Sequence, residues 1–180
     1  MRSGNRYRLY RHPLLLITLA STLTLAAEMG PASIERYSSE PATRILESVQ
    51  LPPGTQTLIL SGVVADRQVG RTGENVEDYG DTQTQSLSAL RKIEERLRKH
   101  GYVLGDLVKL TVFLTGDPGV GGKLDFEGFN RAFDQFFRVR DNPNTVARTT
   151  VQVVALASPS LLVEIEATAA RVPRNAKSGR

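Results

Sequence analysis

The sequence predicts an α+β domain in which two helices cover one face of a mixed β-sheet. Segments rich in β-branched residues alternate with two segments of helical periodicity, in the order strand, strand, helix, strand, helix, strand, strand. The 180 residues are 40% hydrophobic and 23% charged, which is typical of a folded protein and excludes a disordered polymer. This length suits one domain with a sizeable core.

The first 27 residues have the features of a secretory signal peptide: four arginines without acidic residues, then the apolar run Pro13–Ala27. This run is shorter than a membrane-spanning helix needs. We expect cleavage near Ala27 or Ala32 and a periplasmic or secreted protein without a membrane partner; an uncleaved anchor and a misassigned start codon are the alternatives. The formal charge of +4 belongs to this leader, because without its four arginines the 23 basic residues become 19, equal to the acidic ones. The chain thus divides into a signal peptide (1–27), a poorly defined segment (28–42), a folded domain (43–171) and a flexible basic tail (172–180).

Two strands are expected before the first helix. A weak pattern allows one around Thr43–Val49, and the β-rich run Thr57–Val64 is bounded by turn residues. The polar stretch Arg67–Gly80 contains three glycines and is expected to be a loop. Asp81 is a good N-cap for a long helix that ends near His100 and turns one apolar side toward the core. The side chains on that side are Leu87, Leu90, Ile93 and Leu97.

A third strand and a second helix follow. Leu107–Thr115 alternates apolar and polar residues, as a half-buried strand does. The glycine-rich stretch Gly116–Lys123 is expected to be a flexible surface loop. The next helix is predicted from about Phe126 to Phe137, with an aromatic stripe whose simplest role is core packing. That stripe consists of Phe126, Phe129, Phe133, Phe136 and Phe137.

The last two strands begin at Arg148 and Leu161 and are expected to form an antiparallel hairpin through the turn at 157–160. Glu164 and Glu166 alternate with apolar residues and therefore share a polar face. Arg148 is expected to project from the same side of the neighbouring strand. An arginine and a carboxylate in such a crevice would bind a small carboxylate and hold a water molecule, whereas the alternative is a solvated sheet face.

Composition excludes several kinds of chemistry. The chain has no cysteine, which excludes disulfides, thiolate metal sites and thiol nucleophiles. His12 and His100 are the only imidazoles, so we expect neither a metal site nor a serine-histidine-aspartate triad. The glycine-rich loop departs from a phosphate-binding loop at Asp117, where glycine is required, and at Leu124, where Ser or Thr is required. The first helix mixes acidic and basic residues and lacks aromatics in its charged run, so no nucleic-acid partner is expected.

Five sequence blocks occur in a characteristic order: SGVVAD (61–66), QTQSLSALRKI (83–93), GDLVKLTVFLT (105–115), FNRAFDQFF (129–137) and ARTTVQVVAL with VEIEATA (from 147). In these blocks the chain resembles the RidA (YjgF) family, over about residues 58–170. The resemblance implies a chorismate-mutase-like subunit, a homotrimer and sites in clefts between subunits. It also implies hydrolysis of reactive enamines and imines, such as 2-aminoacrylate, to a keto acid and ammonia, with no cofactor.

The resemblance also implies site residues. Arg148 matches the arginine that binds the substrate carboxylate, and Glu164 matches the residue that orients water. Asn130 and Gly62 match further substrate-binding positions of the cleft, whereas Glu166 would be a structural charge at the interface. The chain is therefore expected to be a 2-iminobutanoate/2-iminopropanoate deaminase-like hydrolase. Two alternatives remain open: a non-catalytic trimer that binds a small carboxylate in the same cleft, and a partner-binding protein that uses the glycine-rich loop.

Overall fold

The computed structural model describes residues 33–173, so the expected signal peptide and nearly all of the basic tail lie outside the described residues. Within 33–173 no helix is long and apolar enough to cross a membrane. The strands are β1 (Glu35–Tyr37), β2 (Ser48–Gln50), β3 (Gln56–Val64), β4 (Leu107–Leu114), β5 (Ala147–Gln152) and β6 (Val163–Arg171). The α-helices are α1 (Val76–Tyr79), α2 (Thr82–Lys99) and α3 (Phe126–Phe133).

The main sheet has four strands in the order β3-β6-β4-β5. Strand β6 runs antiparallel to both β3 and β4, whereas β4 and β5 are parallel, so the predicted mixed sheet is confirmed. The predicted hairpin between the last two strands is wrong, because β4 lies between β5 and β6. Val163, Ile165 and Ala167 of β6 are almost fully buried beneath the helices, on a strand that pairs on both of its sides.

Helix α2 has the bounds that its sequence predicts. The Asp81 side chain accepts a hydrogen bond from the backbone N–H of Thr84, and the helix ends at His100. Gly101 follows with φ of +74°, a left-handed conformation that glycine adopts without steric cost. The helix buries Leu90, Ile93 and Leu97 against the sheet, which forms the centre of the core.

Helix α3 is shorter than expected and ends at Phe133, after which the chain continues through turns to Phe137. Phe129 and Phe133 are fully buried, and the Phe133 and Phe137 rings are stacked with 4.3 Å between centroids. Phe126 is 39% exposed, so the aromatic stripe is core packing except at its first residue. Both α2 and α3 lie on one face of the main sheet, as predicted.

The glycine-rich loop lies at the surface, as expected, and is anchored through Asp117. The buried Asp117 carboxylate accepts hydrogen bonds from the backbone N–H and hydroxyl of Thr82, at 2.9 and 2.7 Å, and from the N–H of Gly119 at 2.8 Å. These contacts join the loop to the first turn of α2. The stretch expected to be a loop before α2 contains the short helix α1.

The N-terminal segment forms structure that its weak pattern did not predict. Strands β1 and β2 pair antiparallel in a separate two-stranded sheet, and β2 begins near the end of the expected strand at 43–49. Leu46 bridges to Ala147 in parallel register, so residues around Leu46 run beside the start of β5. This placement brings the segment next to Arg148.

Candidate active site

Arg148 lies on β5, the edge strand, on the sheet face that the helices cover. Its neighbour in register is Leu110, which is fully buried beneath those helices. The guanidinium lies close to three phenylalanine rings, with its Cζ 4.6 Å from the Phe133 centroid, 5.1 Å from Phe129 and 5.6 Å from Phe126. Cation–π contacts of this kind hold a cation in a fixed plane within an apolar pocket.

Arg148 makes few hydrogen bonds for a charged side chain that is partly buried. Its Nη2 donates to Asn130 Oδ1 at 3.0 Å, while Nη1 is buried and has no hydrogen-bond partner. Among the described residues no carboxylate lies within ion-pair distance of it, so the guanidinium is not held in a private ion pair. The pKa of Arg148 is lowered to about 10, mainly by burial and secondly by the positive charge of Arg44, while the negative charge of Asp134 opposes the shift.

Two more unpartnered polar atoms lie beside this guanidinium. Asn130, on α3, is 1% exposed, and its Nδ2 has no partner. Thr150 is two residues after Arg148 and therefore on the same strand face, and its buried Oγ1 also lacks a partner. Buried polar atoms are nearly always hydrogen-bonded, so three unsatisfied donors in one place indicate a site for an anionic or carbonyl ligand. The arrangement suits a carboxylate, which accepts several hydrogen bonds at once.

Glu164 and Gly62 form a second pair. Gly62 lies where the register of β3 and β6 shifts between Leu60 and Val63, which is a β-bulge. A Cβ at position 62 would lie 1.7 Å from Glu164 Oε1, so only glycine lets this carboxylate pack against the backbone. Within residues 33–173 Glu164 has neither a hydrogen bond nor an ion pair, and its carboxylate is available to bind and orient water.

The expectation that Arg148 and Glu164 share one face is wrong. Glu164 is in register with Phe113, and Glu166 is in register with Thr111. Residues in register point to the same side of a sheet, so both glutamates lie on the face that the helices leave uncovered. Arg148 lies two strands away and three residues along, about 14 Å from Glu164 between Cα atoms for ordinary sheet spacings. The error comes from the alternation along β5, because the apolar Val151 lies beside Phe113 on the uncovered face and Arg148 therefore lies on the covered one.

The sequence-predicted residues therefore form two groups, Arg148 with Asn130 and Glu164 with Gly62. Thr150 and the phenylalanine rings over Arg148 are site residues that sequence reasoning missed. The alternation Arg148-x-Thr150 was a usable signal, because residues two apart on a strand face the same side. No group of three or more His, Cys, Asp or Glu side chains in 33–173 has the arrangement of a metal site.

The chain is similar to a known protein family and to known relatives. The profile of the family described as Endoribonuclease L-PSP matches residues 31–171. The chain is 32% identical over 148 residues to the 2-iminobutanoate/2-iminopropanoate deaminase of Escherichia coli K12, covering 82% of this chain and 97% of that protein. It is 29% identical over 134 residues to a RutC family protein of Haemophilus influenzae, covering 72% of this chain and 98% of that protein.

Solved structures show the same fold. A protein of unknown function of the conserved Rid family from Yersinia pestis superposes with a TM-score of 0.57 at 24% identity, covering 76% of this chain and 98% of that one. A protein of unknown function from Pseudomonas aeruginosa superposes with a TM-score of 0.52 at 27% identity, covering 78% and 93%. The match to both includes nearly all of each solved chain.

Proposed function

Since the chain belongs to the family described as Endoribonuclease L-PSP, which includes the RidA (YjgF) proteins, we propose that it hydrolyses reactive 2-imino acids and their enamine tautomers to 2-keto acids and ammonia. The chain has the chorismate-mutase-like α+β fold of this family. The Arg148 guanidinium carries the proposal, because it is a buried cation with unsatisfied donors around it and no carboxylate of its own.

Arg148 binds the carboxylate of the substrate. A charge-assisted hydrogen bond from Nη1 satisfies the donor that is otherwise unpartnered, and Asn130 Nδ2 adds a second. The phenylalanine rings keep the guanidinium in one plane and exclude water, which strengthens its attraction for an anion. A 2-imino acid bound in this way has its imine carbon next to the carboxylate and in a fixed position.

Glu164 acts on water. The imine carbon is electrophilic, so a water molecule oriented by Glu164 attacks it while the carboxylate accepts a proton. The carbon–nitrogen double bond becomes a carbinolamine, the nitrogen takes up a proton, and the carbon–nitrogen bond then breaks to release ammonia and leave the keto group. One water molecule is consumed, and neither an oxidant nor a reductant is needed.

The two halves of the site come from different protomers of a homotrimer in this proposal. Arg148 lies on the edge strand, where a second copy can approach it, and Glu164 lies on an uncovered sheet face with the exposed apolar side chains Ile59 and Val151. An uncovered face with exposed apolar residues favours association with another copy. The cleft between copies would place Glu164 of one opposite Arg148 of the next.

Turnover of an imine made in situ tests the proposal. An amino-acid oxidase acting on alanine or 2-aminobutyrate supplies the imine, and semicarbazide competes to trap it. The protein should accelerate keto-acid formation, and Arg148→Ala should abolish the acceleration while the assembly keeps its mass in light scattering. Arg131→Ala is the matched control, because Arg131 is an exposed arginine on the same helix as Asn130, with its own partner Gln83.

Failure would take either of two forms. A wild-type protein no faster than buffer on every such imine would overturn the enzymatic proposal. Calorimetric binding of 2-oxobutanoate without any turnover would instead identify a carboxylate-binding protein that uses the same cleft.

We further propose that the protein is exported, on the charge and apolar pattern of its first 27 residues. Fractionation of cells that express the full chain should place the protein outside the cytoplasm. Mass spectrometry should show a new N-terminus near Ala27 or Ala32. A full-length cytoplasmic product would overturn this proposal without affecting the enzymatic one.

A further inference from the structure

A second group of arginines lies beside Arg148, in a cavity that the proposed reaction does not use. The cavity has a volume of about 540 Å³ and is lined by Arg44, Arg138 and Asp134, with Phe137 as its apolar wall. Arg44 comes from the N-terminal segment that runs beside β5, and its backbone carbonyl accepts a hydrogen bond from Thr145 at 2.8 Å. The segment is therefore fixed where it presents Arg44 to the end of α3.

The cavity is next to the Arg148 pocket. Its wall, Phe137, stacks on Phe133 at 4.3 Å, and Phe133 is in turn 4.6 Å from the Arg148 guanidinium. Asp134 is four residues after Asn130, so the two lie one helical turn apart on the same side of α3. Because Asn130 contacts Arg148 and Asp134 contacts Arg44, the two guanidinium groups lie about one helical turn apart along α3, roughly 5–6 Å, a span that the two carboxylates of a four- or five-carbon diacid match.

Both cavity arginines retain free donors. Arg44 uses Nε and Nη2 to bind Asp134 at 2.7 and 3.1 Å, and Arg138 uses Nη1 to bind the carbonyl of Thr43 at 2.9 Å. A guanidinium has five N–H donors, so each can accept a further anionic ligand. Together with Arg148 the region has three guanidinium groups, against the two carboxylates of Asp134 and Glu127.

We propose that the preferred substrate is a 2-imino dicarboxylate of four or five carbons, with its first carboxylate on Arg148 and its distal carboxylate on Arg44 and Arg138. This inference rests on the proposed function and specifies its substrate class. Hydrolysis of 2-iminobutanedioate or 2-iminopentanedioate adds one water molecule and releases ammonia, leaving the corresponding 2-oxo diacid. A monocarboxylate imine would occupy only the Arg148 pocket and leave the second group of arginines unused.

Asp134 sets the strength of this preference. It holds Arg44 in place by a two-point ion pair, and it also repels a second carboxylate that approaches Arg44. A distal carboxylate must therefore bind through the free edge of Arg44 and through Arg138. Removal of the Asp134 charge should strengthen binding of the diacid, whereas removal of the Arg44 charge should weaken it.

The test compares kcat/KM for the two diacid imines with kcat/KM for 2-iminopropanoate, each generated in situ by an amino-acid oxidase. We expect the full-length protein to prefer the diacids by about tenfold or more. Arg44→Gln should reduce that preference below about threefold, and Asp134→Asn should increase it. Arg131→Gln, an exposed arginine that faces Gln83 and Asp125 instead, should leave the preference unchanged.

Calorimetry separates this inference from the enzymatic proposal. The affinity for 2-oxopentanedioate should exceed that for 2-oxobutanoate, with the same dependence on Arg44 and Asp134, whether or not turnover occurs. Hydrolysis of 2-iminopropanoate as fast as the diacids would overturn the inference while leaving the proposed function intact. A preference that survives Arg44→Gln and does not respond to Asp134→Asn would also overturn it.

Discussion

Arg148 and Glu164 face opposite sides of one β-sheet. Arg148 is in register with the buried Leu110, whereas Glu164 is in register with Phe113 on the uncovered face. Because the sheet itself lies between them, no small ligand reaches both residues in a single protomer. The hydrolytic proposal therefore requires two protomers for each site, which makes the assembly part of the chemistry.

Mixed trimers test this requirement. In the proposed homotrimer, the Arg148→Ala and Glu164→Gln variants should each be inactive, and subunits of the two variants mixed in equal amounts should recover about a quarter of the wild-type rate. The fraction follows because a cleft is intact only where a subunit with Arg148 meets a subunit with Glu164 on the correct side. The measurement is turnover after denaturation and joint refolding of the two variants. Zero recovery at full reassembly would place both residues in one protomer.

Gly62→Ala should remove activity at small cost in stability. The added Cβ would collide with Glu164 Oε1, which is the end of a flexible side chain, so the carboxylate moves away and the backbone does not. We expect kcat to fall at least tenfold while the free energy of unfolding changes by less than about 1 kcal/mol. Turnover and urea denaturation give the two quantities.

Gly105→Ala is the matched control for that variant. A Cβ at position 105 meets Asn144 and Asn142 only at 3.6 and 3.7 Å, which is ordinary van der Waals contact. It should change neither kcat nor stability. Full activity in Gly62→Ala would show that the contact between Gly62 and Glu164 has no part in catalysis.

The elements that could be predicted from the sequence are those whose bounds depend on residues close together in the chain. The Asp81 cap and the apolar stripe after it specify α2 to within a residue at each end, because cap and stripe are set by neighbours in sequence. The alternation of Leu107–Leu114 similarly specifies β4. Family resemblance then identified Arg148, Asn130, Glu164 and Gly62, which the structure arranges as two contacting pairs.

Contacts between strands and side chains that are distant in the sequence could not be predicted. The turn at 157–160 suggested a hairpin, but β6 pairs with β3 and β4, two strands that are distant from it in sequence. The expected face of Arg148 was wrong because the apolar Val151 lies on the uncovered face and is 40% exposed, so alternation along β5 places Arg148 on the covered face. The Arg44–Asp134 contact spans 90 residues and left no periodic signal in the sequence.

Arg148 should reduce the stability of the fold, because it is a half-buried cation with a buried, unpartnered donor. The double variant Arg148→Met with Asn130→Leu removes the charge and both unsatisfied donors, and apolar side chains of similar size remain under the phenylalanine rings. We expect the free energy of unfolding to rise by about 1–2 kcal/mol, a range discounted for the partial exposure of Arg148. Affinity for 2-oxobutanoate should be lost at the same time.

Asn130→Leu alone should have the opposite effect on stability. It leaves Arg148 buried with no hydrogen bond, since Asn130 Oδ1 is its one acceptor among the described residues. We expect a loss of about 1–3 kcal/mol, typical of a buried charged donor that loses its acceptor. Urea denaturation of both variants shows whether the free energy of unfolding rises or falls in each. A double variant less stable than Asn130→Leu alone would contradict the view that Arg148 is costly.

Asp117 should be the main stabilising residue of the glycine-rich turn. Its buried carboxylate satisfies two donors of Thr82 at the start of α2 and one of Gly119, so Asp117→Ala leaves these groups without an acceptor. We expect the free energy of unfolding to fall by about 2–3 kcal/mol, against about 0.5–1 kcal/mol for Asp81→Ala, which removes a more exposed cap of the same helix. Urea denaturation compares the two. Turnover per folded molecule should be unchanged in both, because neither residue contacts Arg148 or Glu164; an equal loss of stability would mean that the turn contributes nothing beyond an ordinary helix cap.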